Sequence, residues 1–201
     1  MINSKEYNGG LNGIPQFEDR KKMWKTLEIS EFKTSLPLLN EYLNELSNLY
    51  VNGSVIHKSF ILGESEVLDW YVSRNQLKEM LFFWKLWEHK ELIKYLDLTE
   101  IDEDSNQSFE SSSPFMLGGS LAWALNWGGA YREPTWKGSR SKELGENAAG
   151  ELLDGNFDNC LVFEARGAWC NFFYDVAWDY TWVILNKEKR LLHVIMATDT
   201  D

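Results

Sequence analysis

The sequence predicts an α+β fold: a helical N-terminal half packed on a C-terminal antiparallel β-meander, in a single domain spanning residues 1–201. Three observations carry this prediction. Leu36, Leu39, Leu43, Leu46 and Tyr50 recur at helical spacing. The apolar runs NCLVFEA, AWCNFFYDV, DYTWVIL and RLLHVIM follow one another beyond residue 158, joined by short connections of the kind that produce a meander. Between the two patterns lies DLTEIDEDSNQSFESSSP, rich in acid and serine and without apolar period. The expected divisions are therefore a helical part at 1–97, an acidic, Ser-rich loop at 98–114, and short helices followed by the sheet at 115–201.

Taken in order, Glu18 and Asp19 place acid in the first turn of a short helix whose apolar face is Met23, Trp24 and Leu27. A second helix starts with Ser35 as its cap and Pro37 in its first turn, and Asn52-Gly53 stops it. SVIHKSFIL alternates, with Ile56, Phe60 and Leu62 on one face and His57, Ser59 and Ile61 on the other, and reads as an edge strand. From Glu64 to Leu96 the period is helical again, in two or three pieces, with Leu77, Met80, Trp84 and Trp87 inward and Lys78, Lys85 and His89 on the solvated face. GGSLAWALNWGG predicts a short helix capped by Ser120 and stopped by Gly128, with Trp123 and Trp127 on one side. SKELGENAAGELL has helical spacing at Leu144, Ala148 and Leu152, weakened by Gly145 and Gly150 at about 1 kcal/mol each.

In the meander, a two-residue turn at Arg166-Gly167 would set Glu164 opposite Trp169, Cys170 opposite Phe163, Cys160 opposite Phe173 and Asp158 opposite Asp175. The last pair juxtaposes like charges, which is unfavourable unless the strand frays there. In this register the two cysteines do not meet, and two Cys with three scattered His lack zinc-ligand spacing, so both thiols read as core residues. The acids Glu100, Asp102, Glu103 and Asp104 lack the glycine and closing glutamate of a calcium loop. No metal and no cofactor is expected.

Composition narrows function more than the motifs do. The formal charge is −11, which disfavours nucleic acid as a ligand and favours a basic protein partner. Ten Trp, eleven Phe and eight Tyr exceed what core filling requires, so some rings are expected on a surface or groove. MINSKEYNGG lacks the apolar core of a secretory signal, and no apolar run has the length of a membrane span, so a cytoplasmic protein is expected.

The loop AYREPTWKGSR offers Trp136, Tyr131 and Arg132 as interface anchors, residue types that dominate binding energetics, with Glu133, Asp175 and Asp179 as steering acids. This is the pattern of an acidic, aromatic-rich protein-binding module. In general composition and architecture, though in no quotable motif, the chain resembles bacterial immunity proteins, and the resemblance implies inhibition of a cationic protein. Two alternatives stay open. One is a carbohydrate or small-ligand domain using Trp platforms. The other is a hydrolase using Asp175, Asp179, Asp199 and Asp201 as clustered carboxylates, although no G-x-S-x-G, H-E-x-x-H or Cys-His motif accompanies them.

Overall fold

The computed structural model describes residues 13–201, so the expectation about the first ten residues lies outside the described part. The helix α1 (Phe17–Thr26) starts where the Asp19 carboxylate accepts the Gln16 N–H at 2.8 Å. It leads through the short β1 (Ile29–Glu31) to α2 (Pro37–Leu49). The N-cap of α2 is Leu36, not Ser35, and Pro37 occupies its first turn, where a missing N–H is harmless. β2 (Ser54–Leu62) is followed by three short helices, α3 (Glu66–Ser73), α4 (Phe82–Trp87) and α5 (Lys90–Leu96). Beyond them come α6 (Ser105–Ser108), β3 (Glu110–Ser112), α7 (Pro114–Trp127), α8 (Gly138–Leu152), β4 (Cys160–Arg166), β5 (Tyr180–Asn186) and β6 (Leu191–Thr198). Among the described residues, no helix is long and apolar enough to cross a membrane.

The six strands form one antiparallel sheet in the order β1-β2-β6-β5-β4-β3. As the apolar runs predict, β4, β5 and β6 are sequential neighbours. Helices cover both faces. On one side, Phe60, Leu192, Val194, Val183 and Phe163 meet Met23, Leu68, Phe83 and Trp87 of the N-terminal helices. On the other, Ile195, Ala197, Trp182, Ile184 and Val162 meet Leu39, Leu46, Leu121 and Leu144 of α2, α7 and α8. Double coverage explains why every residue of β5 is buried although its ladder is antiparallel, an arrangement that usually leaves one face wet.

Besides the cap of α2, four expectations need correction. β2 is not an edge strand, because it pairs with β6 from Ser54 to Ile61 and with β1 on its other side. AWCNFFYDV is not a strand. After Arg166 the chain makes an excursion through residues 167–179 and returns as β5, which pairs Arg166 with Tyr180 and Cys160 with Asn186. The aromatic character of that run reflects side chains dropped into the core from turns: Trp169 and Phe173 are buried, and the Trp169 indole N–H donates to Thr181 Oγ1 at 2.8 Å. The expected Arg166-Gly167 register, with Asp158 facing Asp175, therefore does not exist. The like-charge pair that does occur is Glu110 opposite Glu164.

The third correction concerns 98–114. This stretch supplies α6 and the edge strand β3, and it buries Leu98, Ser105 and Phe109. Its few apolar residues carry the packing, since Phe109 stacks on Phe83 with ring centroids 4.4 Å apart. The fourth concerns Ser120. The cap of α7 is Ser113, whose Oγ accepts the Phe115 N–H at 3.3 Å, and Ser120 lies inside the helix. There its hydroxyl accepts from the Trp182 indole at 2.9 Å and donates to Glu164 at 2.6 Å, tying α7 to the sheet.

The glycines of α8 do more than weaken it. A Cβ on Gly145 would collide with the Gly118 carbonyl oxygen and lie 2.6 Å from the Ala122 nitrogen, so its absence lets α7 and α8 approach backbone to backbone.

Candidate functional site

α7 is apolar on nearly all sides, so burying its inward residues Leu117, Leu121, Ala124 and Leu125 leaves large apolar side chains facing outward. Trp123 and Trp127 are 52% and 53% exposed, one turn apart, and stack with centroids 5.3 Å apart and planes 28° apart. Met116 and Phe115 extend the exposed apolar surface toward the start of the helix, Phe115 stacking on Phe157 at 5.0 Å.

The connection from α7 to α8 begins at Gly128. Its φ of +79° and its tight approach to the Arg132 carbonyl oxygen, which would lie 2.6 Å from any added Cβ, both require glycine. Three bonds hold the connection. Gly129 N–H donates to the Arg132 carbonyl at 2.8 Å, Ala130 N–H donates to Asp199 Oδ2 at 2.7 Å, and the Arg132 guanidinium donates to the Asn48 carbonyl at 3.0 Å. This fixed segment presents Tyr131, 63% exposed, beside exposed Arg132 and Glu133. The result is a stacked Trp123-Trp127 pair followed in the chain by a tethered loop that exposes Tyr131, Arg132 and Glu133.

The predicted anchors and acids divide accordingly. Tyr131, Arg132 and Glu133 are on the surface, as an interface requires. Trp136 is half-buried: its ring packs on the core and its indole N–H donates to Ser141 Oγ at 2.9 Å, so it supports the loop from beneath. Asp175 is exposed on the 167–179 excursion, in a left-handed conformation with φ of +59°. Asp179 is buried, where it accepts the Val176 N–H at 2.9 Å and the Thr198 hydroxyl at 2.5 Å. A carboxylate enclosed in this way organises a bend and has no reach for a partner. Asp199 is also buried, bonded to the Asn52 and Ala130 amides, while Asp201 is exposed, so the four aspartates of the alternative hydrolase reading have separate surroundings.

The hydrogen-bonded group that sequence reading misses is His57, Ser59 and His193, on adjacent positions of β2 and β6. Ser59 Oγ lies 2.8 Å from His193 Nδ1 and 3.2 Å from His57 Nε2, and the two ring nitrogens are 3.3 Å apart. The alternation in SVIHKSFIL puts His57 and Ser59 on one face, but His193 reaches them only through the β2–β6 pairing, which no local pattern encodes. Burial holds both rings neutral, lowering the His57 pKa to about 4 and that of His193 to about 3, with Lys58 and the neighbouring ring adding to the effect. A serine beside a neutral imidazole has nucleophile–base geometry, but Ser59 is only 4% exposed and the second ring, not a carboxylate, is the further partner. The arrangement is that of a satisfied core network. Cys160 and Cys170 are free and buried, which pushes their thiols up to about 11 and about 12 and leaves them unreactive at neutral pH.

No family model matches the chain, and no curated protein or solved structure matches it.

Proposed function

We propose that the protein is a binding module for a basic protein, with Trp123, Trp127 and Tyr131 as anchors, Arg132 and Glu133 at their margin, and the acidic body of the molecule as the source of steering. The observation that supports this most directly is the exposed, mutually stacked Trp pair at the end of α7, beside a loop held rigid by Asp199. Two indoles already stacked on one another lose little side-chain entropy on docking, which is what makes such residues effective anchors. The formal charge of −11 favours a cationic partner. Immunity-type inhibition of a cationic toxin is the specific form this binding would take.

A carbohydrate platform is the second reading, favoured by the same exposed indoles. It is weaker because each Trp already spends one face on the other, leaving a single outward face per ring for a sugar. The test is retention of host proteins on the immobilised chain at low and moderate salt, beside the Trp123→Ser/Trp127→Ser variant. A cationic protein held by the wild type, released by salt and lost from the variant supports the proposal, with the double substitution costing about 2 kcal/mol or more of binding. Equal retention by both forms refutes it. Quenching of Trp fluorescence by soluble oligosaccharides, absent from the variant, would move the function to the second reading.

A further inference from the structure

A cleft of about 1200 Å³ opens on the far side of the sheet from α7, between α1, the residues leading into β1, and the helices α4 and α5. Its charge is inverted relative to the molecule. On a chain of net charge −11, the cleft is lined by Arg20, Lys21, Lys25, Lys85 and Lys90, against three carboxylates. Two of those carboxylates are engaged, Glu88 with Lys85 at 2.7 Å and Glu91 near Lys94 at 3.9 Å. Among the described residues of the lining, Glu28 is the carboxylate left against Arg20, Lys21, Lys25 and Lys90. Among the described residues none of these three lysines has an ion pair, and Arg20 makes a long 3.4 Å bond to the Glu79 carbonyl and lies over the Phe17 ring.

The apolar part of the lining combines the rings of Phe17, Trp24 and Trp84 with aliphatic side chains such as Met80 and Leu81. Trp24 is braced against the core by Phe82, with centroids 5.7 Å apart, and Trp84 carries the Lys85 ammonium 3.9 Å above its ring. A cation already resting on an indole at the cleft wall shows that this surface accommodates a charged group beside a flat ring.

A separate observation points to the same place. Leu81, on the cleft wall, has φ of +55° and is 46% exposed. A leucine is disfavoured in the left-handed conformation and gains nothing from exposure, so both the backbone and the side chain are held against local preference. Glycine would meet the conformational demand alone. What leucine adds there is an apolar side chain at the cleft.

We propose that this cleft binds a small anionic amphiphile: a flat apolar body lying against Trp24, Trp84 and Leu81, with a carboxylate, sulfonate or phosphate group among Arg20, Lys25 and Lys90. The combination of a concave wall of aromatic and aliphatic side chains with a few polar groups is that of a ligand site, and the cations specify the sign of its charge. The site is independent of the Trp123 surface.

Anilinonaphthalene sulfonate is a suitable probe, with its uncharged relative phenylnaphthylamine as the contrast. The full chain is expected to bind the sulfonate at a single saturable site, more tightly than the uncharged compound. The exposed-surface variant Lys25→Glu/Lys90→Glu should weaken the sulfonate about tenfold and leave the uncharged compound unchanged. Leu81→Gly should weaken both compounds without lowering the unfolding temperature, because it relieves the left-handed residue while removing the apolar contact. Trp123→Ser should change neither. Undiminished sulfonate affinity after the two lysine reversals, equal affinity for the uncharged compound, or loss of binding on Trp123→Ser overturns the proposal.

Discussion

The two faces of the sheet solve the same covering problem in opposite ways. On the face of α1, α3, α4 and α5 the helices are short, six to ten residues, and large rings fill the space. Phe83 touches Phe82, Phe109 and Phe163, with centroids between 4.4 and 5.4 Å, and Trp87 stacks on Trp169 at 4.5 Å. On the opposite face α2, α7 and α8 run for 13 to 15 residues, and α7 and α8 approach one another through Gly118, Ala122 and Gly145. Short helices cannot present long complementary ridges, so bulk must compensate for irregularity. Long helices can lie close together, but only where side chains are absent. One face is thus sensitive to losing volume and the other to gaining it.

The sharpest test is a substitution on each face. Trp87→Ala empties the centre of the ring cluster and should cost about 4 kcal/mol of unfolding free energy. Gly145→Ala adds one methyl to a helix and should raise helix propensity, yet it drives a Cβ into the backbone of α7 and should cost about 3 kcal/mol. Urea denaturation measures both. If Gly145→Ala proves stabilising, the close-packed description of that face is wrong.

A third test uses pH on the His57–His193 pair, which lies on the α2 face. Both rings titrate lower in the folded chain than the ordinary value of 6.5, so the unfolded chain takes up protons first as pH falls. The stability they contribute is complete above pH 6.5 and is lost as pH falls from there toward 4 and then 3. At pH 5.5 the loss should be on the order of 1 kcal/mol per ring. His193→Gln should flatten that acid limb, and an unchanged limb would show that other groups set it.

The smallest expected effect falls on the link from the sheet to the binding surface. Asp199 gives one oxygen to the Asn52 amide and the other to the Ala130 amide, so Asp199→Asn keeps an acceptor for only one of them, turns its NH2 toward the other and removes the charge, and should cost about 1 kcal/mol. Hydrogen exchange at Ala130 should rise with it. Protection unchanged at that amide would mean that the loop is held by Gly129 and Arg132 alone.

Legibility in the sequence follows the range of the interactions. α2 is readable because its leucines repeat within one helix, and β4, β5 and β6 because each is an apolar run bounded by turn residues. The excursion at 167–179 is not, since Trp169, Cys170 and Phe173 have strand propensity and are buried, and a pattern of residue types registers burial without registering the backbone that achieves it. Phe109 fails for the converse reason: one ring among serines and acids carries no period, yet it sits at the centre of an aromatic cluster. For the site, Tyr131, Arg132 and Glu133 lie on the surface as read. The pairing of Trp123 with Trp127 is visible as a four-residue spacing, but their exposure depends on which side of α7 the sheet and α8 cover. Asp179 misleads because an aspartate after a bend looks the same whether it faces solvent or, as here, closes on Thr198.

The pairing of β2 with β6 joins residues 54–61 to 191–198 inside the sheet, one strand in from the β1 edge. Until β6 is in place, β1 and β2 have no connection to β5, β4 and β3, and each part exposes an apolar edge. The chain must therefore hold two unfinished half-sheets apart for most of its search, and the step that joins them closes a loop of more than a hundred residues. Such a topology makes folding slow relative to stability and makes the open edges of β2 and β5 the surfaces through which two incomplete copies would find each other first.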